Sequence, residues 1–142
     1  MTEQERSLQI LLVEDNPVDV LITREALAGW HIQNNLYVVE DGQEALDFLY
    51  GRGDFAGVAQ PDLILLDLNL PKKNGREVLA EIKQDPDRCD ITVVVVTTSD
   101  STTDVQTCRD LGAHLYITKP LDADEYLRAI RSIQEIWLHS VG

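Results

Sequence analysis

Short runs of uninterrupted apolar residues alternate along the chain with longer stretches in which apolar positions recur every three or four. The runs are Ile10-Leu11-Leu12-Val13, Leu36-Tyr37-Val38-Val39, Leu63-Ile64-Leu65-Leu66, the segment 91–96 and Leu115-Tyr116-Ile117. The longer stretches are 17–28, 43–50, 76–84, 103–111 and 123–138. Within them Ala45, Leu46 and Leu49, then Val78, Leu79 and Ile82, then Val105, Cys108 and Leu111 fall at helical spacing. Five strands and five helices in strict alternation are predicted. Strands that are apolar at every position, not at every second one, need cover on both faces. A parallel sheet wrapped by helices through right-handed crossovers satisfies that need, so an α/β, doubly wound fold is expected.

Local punctuation agrees with this layout. Asn16-Pro17 offers an N-cap followed by proline at the first helical position. Asp122 caps the last helix and sets negative charge at its start, and Gly112 falls where the fourth helix should stop. The longest irregular piece is 51–61, a glycine-containing loop. On the last helix, at about 100° per residue, Tyr126, Leu127, Ile130, Ile133 and Trp137 share one face that should pack on the sheet. Ile136 falls on the opposite side. Either it is a single exposed apolar residue, or it helps form a homodimer together with Trp137, helix four and strand five.

Composition narrows the function classes. The 142 residues suit one domain and are too few for two ordinary ones, and a hydrophobic share of 44% fills one core. Twelve Lys and Arg against 25 Asp and Glu give a net charge of −13. Such a surface repels nucleic-acid phosphates, and no basic stripe offsets it, so a nucleic-acid partner is not expected. Cys89 and Cys108 lack CxxC spacing and read as reduced packing residues. The start MTEQERSLQ lacks a signal-peptide pattern, and the apolar runs are too short to cross a bilayer. A cytoplasmic location without a membrane partner is expected.

In a parallel α/β sheet, ligands bind outside the carboxyl ends of the strands. Strand one ends in Glu14-Asp15, strand three in Asp67, strand four in Thr97-Thr98 and strand five in Thr118-Lys119-Pro120. Three carboxylates on one edge repel one another unless neutralised, and a divalent cation removes the conflict. Hard oxygen ligands with room for water suit Mg²⁺. The expected ligands are Asp15, Asp67 and the backbone carbonyl of Asn69, with Glu14 acting mainly through water. The Lys119 ammonium faces the cluster and can hold an arriving anion. Positioning plus charge neutralisation is what phosphoryl transfer requires. Taken singly, Thr97 and Thr98 also read as β-formers, Tyr116 as a packed core aromatic and Lys119 as a solvated lysine. The scattered His31, His114 and His139 are not a metal set.

The motifs Val13-Glu14-Asp15-Asn16, Leu66-Asp67-Leu68-Asn69-Leu70-Pro71, Thr97-Thr98-Ser99 and Thr118-Lys119-Pro120 resemble those of response regulator receiver domains of two-component systems. The spacings of 30 residues from Asp67 to Thr97 and 22 from Thr97 to Lys119 fit that family. The resemblance runs from about residue 8 to about residue 132. It implies a flavodoxin-like receiver fold with strand order 2-1-3-4-5. It further implies that Asp67 is the phosphoacceptor, Glu14 and Asp15 the acidic pair, and Lys119 the phosphate-binding lysine. Thr97 would give its hydroxyl, and Thr98 its backbone N–H, to the phosphoryl oxygens. Tyr116 would be the aromatic switch that turns inward as Thr97 moves, and the Lys119–Pro120 bond would be cis. The donor would be a sensor histidine kinase. The loop Tyr50-Gly51-Arg52-Gly53-Asp54-Phe55 and the end Ile136-Trp137-Leu138 look like small regulators paired with bacterial and cyanobacterial phytochromes, so a phytochrome-type kinase is the expected partner.

On this reading the receiver domain spans 8–138, with tails at 1–7 and 139–142 and no attached output domain. Output would then pass through partner binding, phosphoryl relay or dimer formation. Two other classes compete. A Mg-dependent aspartyl-phosphate hydrolase needs a second acid two residues after its nucleophile, and that position is Asn69, which cannot serve. A phosphorylation-independent binding module should have lost acidic or lysine positions, and none is lost.

Overall fold

The computed structural model describes residues 7–141. The elements are β1 (Leu8–Val13), α1 (Pro17–Ala28), β2 (Asn34–Val39), α2 (Gly42–Tyr50), β3 (Leu63–Leu66), α3 (Gly75–Gln84), β4 (Thr92–Thr97), α4 (Thr102–Asp110), β5 (Leu115–Thr118) and α5 (Ala123–Val141). A 3₁₀ turn, Gly53–Phe55, sits inside the long loop after α2. All strand pairings are parallel, in the order β2-β1-β3-β4-β5. The expected α/β doubly wound receiver fold is present. Among the described residues no helix is long and apolar enough to cross a membrane.

The unbroken apolar runs have the physical cause read from them. Successive residues of one strand point to opposite faces, and each face carries its own core. Leu11, Val13, Ile64, Leu66, Val93 and Val95 pack with residues of α2 and α3 and with Cys108 of α4. Ile10, Leu12, Leu63, Leu65, Val94 and Val96 pack with Ala26 and Leu27 of α1 and with α5. The five α5 residues predicted to share a face, Tyr126, Leu127, Ile130, Ile133 and Trp137, all join this second core. Gln134 adds a polar tie, accepting the Ile32 backbone N–H at 2.9 Å.

The caps form as the sequence suggests. Asn16 Oδ1 accepts from the N–H groups of Val18 (2.9 Å) and Asp19 (3.3 Å). Asp122 Oδ1 accepts from Asp124 (2.7 Å) and Glu125 (3.3 Å). Gly112, just past α4, has a φ of 98° that few other residues tolerate.

Several details differ from expectation, and β1 and β2 each begin two residues before the apolar runs, at Leu8 and Asn34. β4 begins one residue later than predicted, at Thr92, with the Ile91 N–H bonded to Arg88 C=O in a turn. Thr97 pairs with Thr118 as the last rung between β4 and β5. α5 runs to Val141, through residues placed in the tail, since neither Gly nor Pro interrupts 139–141. The rest of the expected tails, 1–6 and 142, lies outside the described residues. The Lys119–Pro120 bond is trans and not cis. Trans is the intrinsically favoured isomer of such a bond by about 0.5–1 kcal/mol.

Gly75 positions α3 against the strand end that carries Asp67. Its N–H donates to Leu68 C=O at 2.9 Å. A Cβ on Gly75 would lie 2.2 Å from the carbonyl oxygen of Asp67. Gly75→Ala should therefore lower stability in urea unfolding by about 1–3 kcal/mol, the usual cost of overpacking. A change within about 0.5 kcal/mol, the range of ordinary surface substitutions, would show that the contact is not tight.

Candidate functional site

Four strand ends converge on one edge of the sheet, and backbone bonds fix where each chemical group starts. Just past β1, the Glu14 N–H donates to Val39 C=O at 3.0 Å, and just past β3 the Asp67 N–H donates to Val13 C=O at 3.1 Å. Just past β5, the Lys119 N–H donates to Thr97 C=O at 2.6 Å. These bonds continue the parallel ladders by one residue, so the side chains that follow the apolar runs are held as firmly as the strands.

Lys119 then crosses over β4 to reach β3 and β1. Its ammonium donates to Glu14 Oε1 at 2.6 Å, to Asp19 Oδ2 at 2.8 Å and to Asp67 Oδ2 at 3.1 Å. Glu14, Asp67 and Lys119 are buried. Their remaining atoms are also bonded. Glu14 Oε2 accepts the Asn16 N–H and Asp67 Oδ1 accepts the Asn69 N–H, each at 3.1 Å. Burial pushes the Glu14 carboxyl well above the ordinary carboxylate range, and the Asp67 charge adds to this, although Lys119 opposes it. Burial alone would lower the Lys119 pKa, but hydrogen bonds to Asp19 and Glu14, with the Asp67 charge, outweigh it and raise it. The lysine is a fixed cation at neutral pH.

Glu14, Asp15 and Asp67 each present a carboxylate oxygen, all within 4.8 Å of one another. Asp15 is exposed while the other two are buried. An all-oxygen set, closed on the protein side and open on the other, fits a hard divalent cation that keeps several waters. The fit also has an energetic ground: Lys119 supplies one positive charge against four nearby carboxylates, counting Asp19. Asn69, expected to add its carbonyl, sits at the rim with its N–H turned to Asp67 and its side-chain amide 3.5 Å from Thr98 Oγ1.

The remaining expected residues lie on the β4–β5 side. Thr97 is buried and Thr98 exposed. Tyr116 is half-buried against the α2–α3 core, and its hydroxyl donates to Ser99 C=O at 2.7 Å. Ser99 is a junction, because its own hydroxyl donates to Asp104 Oδ2 at 2.5 Å. Asp104 Oδ1 in turn accepts from Arg76 Nε (2.8 Å) and Nη2 (2.7 Å). The Ser99 hydrogen bond, followed by that of Arg76, holds the Asp104 carboxyl below its ordinary range.

Sequence reasoning missed Asp19, Asp104 and Arg76. Asp19, in the first turn of α1, reads as an ordinary complement to the helix dipole. Asp104, three residues after the Ser101 cap, reads as part of that cap. Arg76 carried no signal at all, since its partner Asp104 lies 28 residues away.

The shared ammonium makes a stability prediction. Lys119→Met should cost about 3 kcal/mol in urea unfolding with chelator present, because it leaves buried carboxylates uncompensated. Added Mg²⁺ should restore more stability to the variant than it adds to the wild type. Equal Mg²⁺ effects on the two proteins would contradict the electrostatic account.

The family model of the response regulator receiver domain matches residues 10–131. Response regulator Rcp1 of Synechocystis sp. is 44% identical over 132 residues, which cover 93% of this chain and 90% of that protein. The crystal structure of the phosphorylated cyanobacterial phytochrome response regulator RcpA matches with a TM-score of 0.91 at 44% identity, covering 95% of this chain and 96% of that one. The Mn²⁺-bound form of Rcp1 matches with a TM-score of 0.90 at 43% identity, covering 95% and 97%. With the buried lysine and carboxylates at matching strand ends, the chain belongs to the response regulator receiver domain family, and within it is similar to phytochrome response regulators.

Proposed function

We propose that this receiver takes a phosphoryl group from a sensor histidine kinase onto Asp67, in a Mg²⁺-dependent step, and signals through the α4–β5–α5 face. The observation that carries the reading is the Lys119 ammonium within hydrogen-bonding distance of both Asp67 and Glu14, beside an acidic trio that fits a divalent cation.

In the reaction a carboxylate oxygen of Asp67 attacks phosphorus, and the P–N bond to the donor imidazole breaks. When bound, Mg²⁺ supplies positive charge to the phosphoryl oxygens and orients them for in-line transfer. Glu14, Asp15, Asp67 and the Asn69 carbonyl are the residues that would hold it. Lys119 donates to a phosphoryl oxygen in exchange for one of its carboxylate contacts, that to Asp67 being the longest. The Thr97 hydroxyl and the Thr98 N–H are the further donors at the end of β4. Phosphoryl transfer thus needs no separate catalyst, and self-dephosphorylation is slow but open to water past the exposed Asn69.

Modification adds about −1.5 to −2 charge and strong acceptor oxygens. The Thr97 hydroxyl, which here accepts the Ser99 N–H at 3.5 Å, can donate to a phosphoryl oxygen only in that state, and such a difference in interaction is what biases a conformational equilibrium. The route outward runs through Ser99, which shares its carbonyl with Tyr116 and its hydroxyl with Asp104 of α4. Tyr116 and Thr97 are the switch pair on this reading. Similarity to RcpA and Rcp1 supports a phytochrome-type kinase as the donor. Ile136, 36% exposed on α5, supports a homodimer through the α4–β5–α5 face, with Trp137 contributing from its position against the core.

Intact-mass measurement after incubation with acetyl phosphate and Mg²⁺ should show one added phosphoryl group on the wild type and none on Asp67→Asn or with chelator. Uptake by Asp67→Asn would place the acceptor elsewhere. In a separate measurement, Ile136→Glu should lower the solution mass from dimer to monomer, and an unchanged mass would remove this face from the dimer.

A further inference from the structure

Asp19 holds Lys119 from outside the strand-end cluster. Lysine has three N–H donors, and here three carboxylates on three different chain segments each take one. The contact to Asp67 (3.1 Å) is the longest, and those to Glu14 (2.6 Å) and Asp19 (2.8 Å) are shorter. Glu14 and Asp67 have roles in the cation-binding trio, whereas Asp19 does not belong to it.

The usual task of an acid in the first turn of a helix is to satisfy or complement the free N–H groups there. In α1 that task falls to Asn16, which accepts from both Val18 and Asp19. The Asp19 carboxylate is turned away from the cap and onto the ammonium. Its backbone is fixed from both sides, by the N–H bond to Asn16 and by Thr23 Oγ1, which donates to Asp19 C=O at 2.8 Å. With its side chain only 16% exposed, this carboxylate is a fixed anchor and not a mobile surface acid.

We infer that Asp19 is a positioning residue for Lys119, restraining the ammonium on the α1 side and so limiting how strongly it engages an anion on Asp67. The inference rests on the proposed role of Asp67 and Lys119 and adds a competitor to it. A phosphoryl oxygen and the Asp19 carboxylate draw on the same ammonium. Neutralising Asp19 weakens its hold on one donor and removes a negative charge from beside the incoming anion, and both changes favour the anion.

The test is calorimetric titration of the full chain with beryllofluoride at saturating Mg²⁺. Asp19→Asn keeps the shape and an acceptor oxygen while removing the charge, and should bind beryllofluoride about fivefold more tightly than wild type. Asp19→Glu restores the charge and should return affinity toward the wild-type value. Glu40→Gln controls for bulk charge: Glu40 lines the groove beside Glu14 and Asp15 but does not bond to Lys119, so its affinity should match wild type. Equal or weaker binding by Asp19→Asn overturns the inference. So does an equal gain in Glu40→Gln, which would make the effect general electrostatics. Failure of the wild type itself to bind beryllofluoride would instead overturn the phosphoacceptor reading.

Discussion

One ammonium shared among three carboxylates sets the terms for the rest of the molecule. Lys119 is bonded to Glu14, Asp19 and Asp67, which belong to the ends of β1 and β3 and to α1. Burying these groups apart would cost several kcal/mol each, of the order of about 3–5 for an unpaired member. Together they are tolerable, and only because the sheet order β2-β1-β3-β4-β5 lines up the strands that carry them. The pairing stays incomplete: negative charge exceeds positive in the cluster, and Glu14 is pushed toward its protonated form. This residual imbalance gives the site its appetite for a divalent cation.

The surroundings convert that local balance into something the surface can register. The Lys119 N–H is bonded to Thr97 C=O, so the lysine and the threonine at the end of β4 move as neighbours. Beyond Thr97, Ser99 joins Tyr116 of β5 to Asp104 of α4, and Arg76 joins α4 to α3. On the other side, the start of α3 is pressed against the Asp67 backbone at Gly75. Asp67 is thereby surrounded by elements with little freedom to shift independently. A rearrangement at Asp67 has a connected set of hydrogen bonds through which to reach the α4–β5 surface.

The sequence and the structure agree most closely where periodicity dominates. Strands apolar at every position announced a sheet covered on both faces, and the two separate cores around residues such as Leu11 and Leu12 are that statement in three dimensions. Residues at strand ends could likewise be gathered from topology, and Glu14, Asp15, Asp67 and Lys119 do lie together. What stayed hidden were residues whose partners are remote and whose local pattern already had an adequate explanation. Asp19 and Asp104 both look like helix-cap chemistry, and only the fold brings Lys119 and Arg76 to them. The end of α5 was legible as far as Leu138, whereas the three residues after it are too few to carry a periodic signal. The trans Lys119–Pro120 bond shows the limit of a resemblance, which carries over a motif's residues more securely than its backbone isomer.

On the proposed function, charge placed on Asp67 is relayed through Thr97, Ser99 and Tyr116 to the α4–β5 surface. Amide hydrogen–deuterium exchange of the full chain with Mg²⁺ alone, then with Mg²⁺ and beryllofluoride, tests it most directly. Beryllofluoride should change exchange at Thr98 and Ser99, at the start of α4 and around Tyr116, and leave β2 unaffected. Changes confined to the immediate neighbours of Asp67, or a pattern that Mg²⁺ alone reproduces, would contradict it.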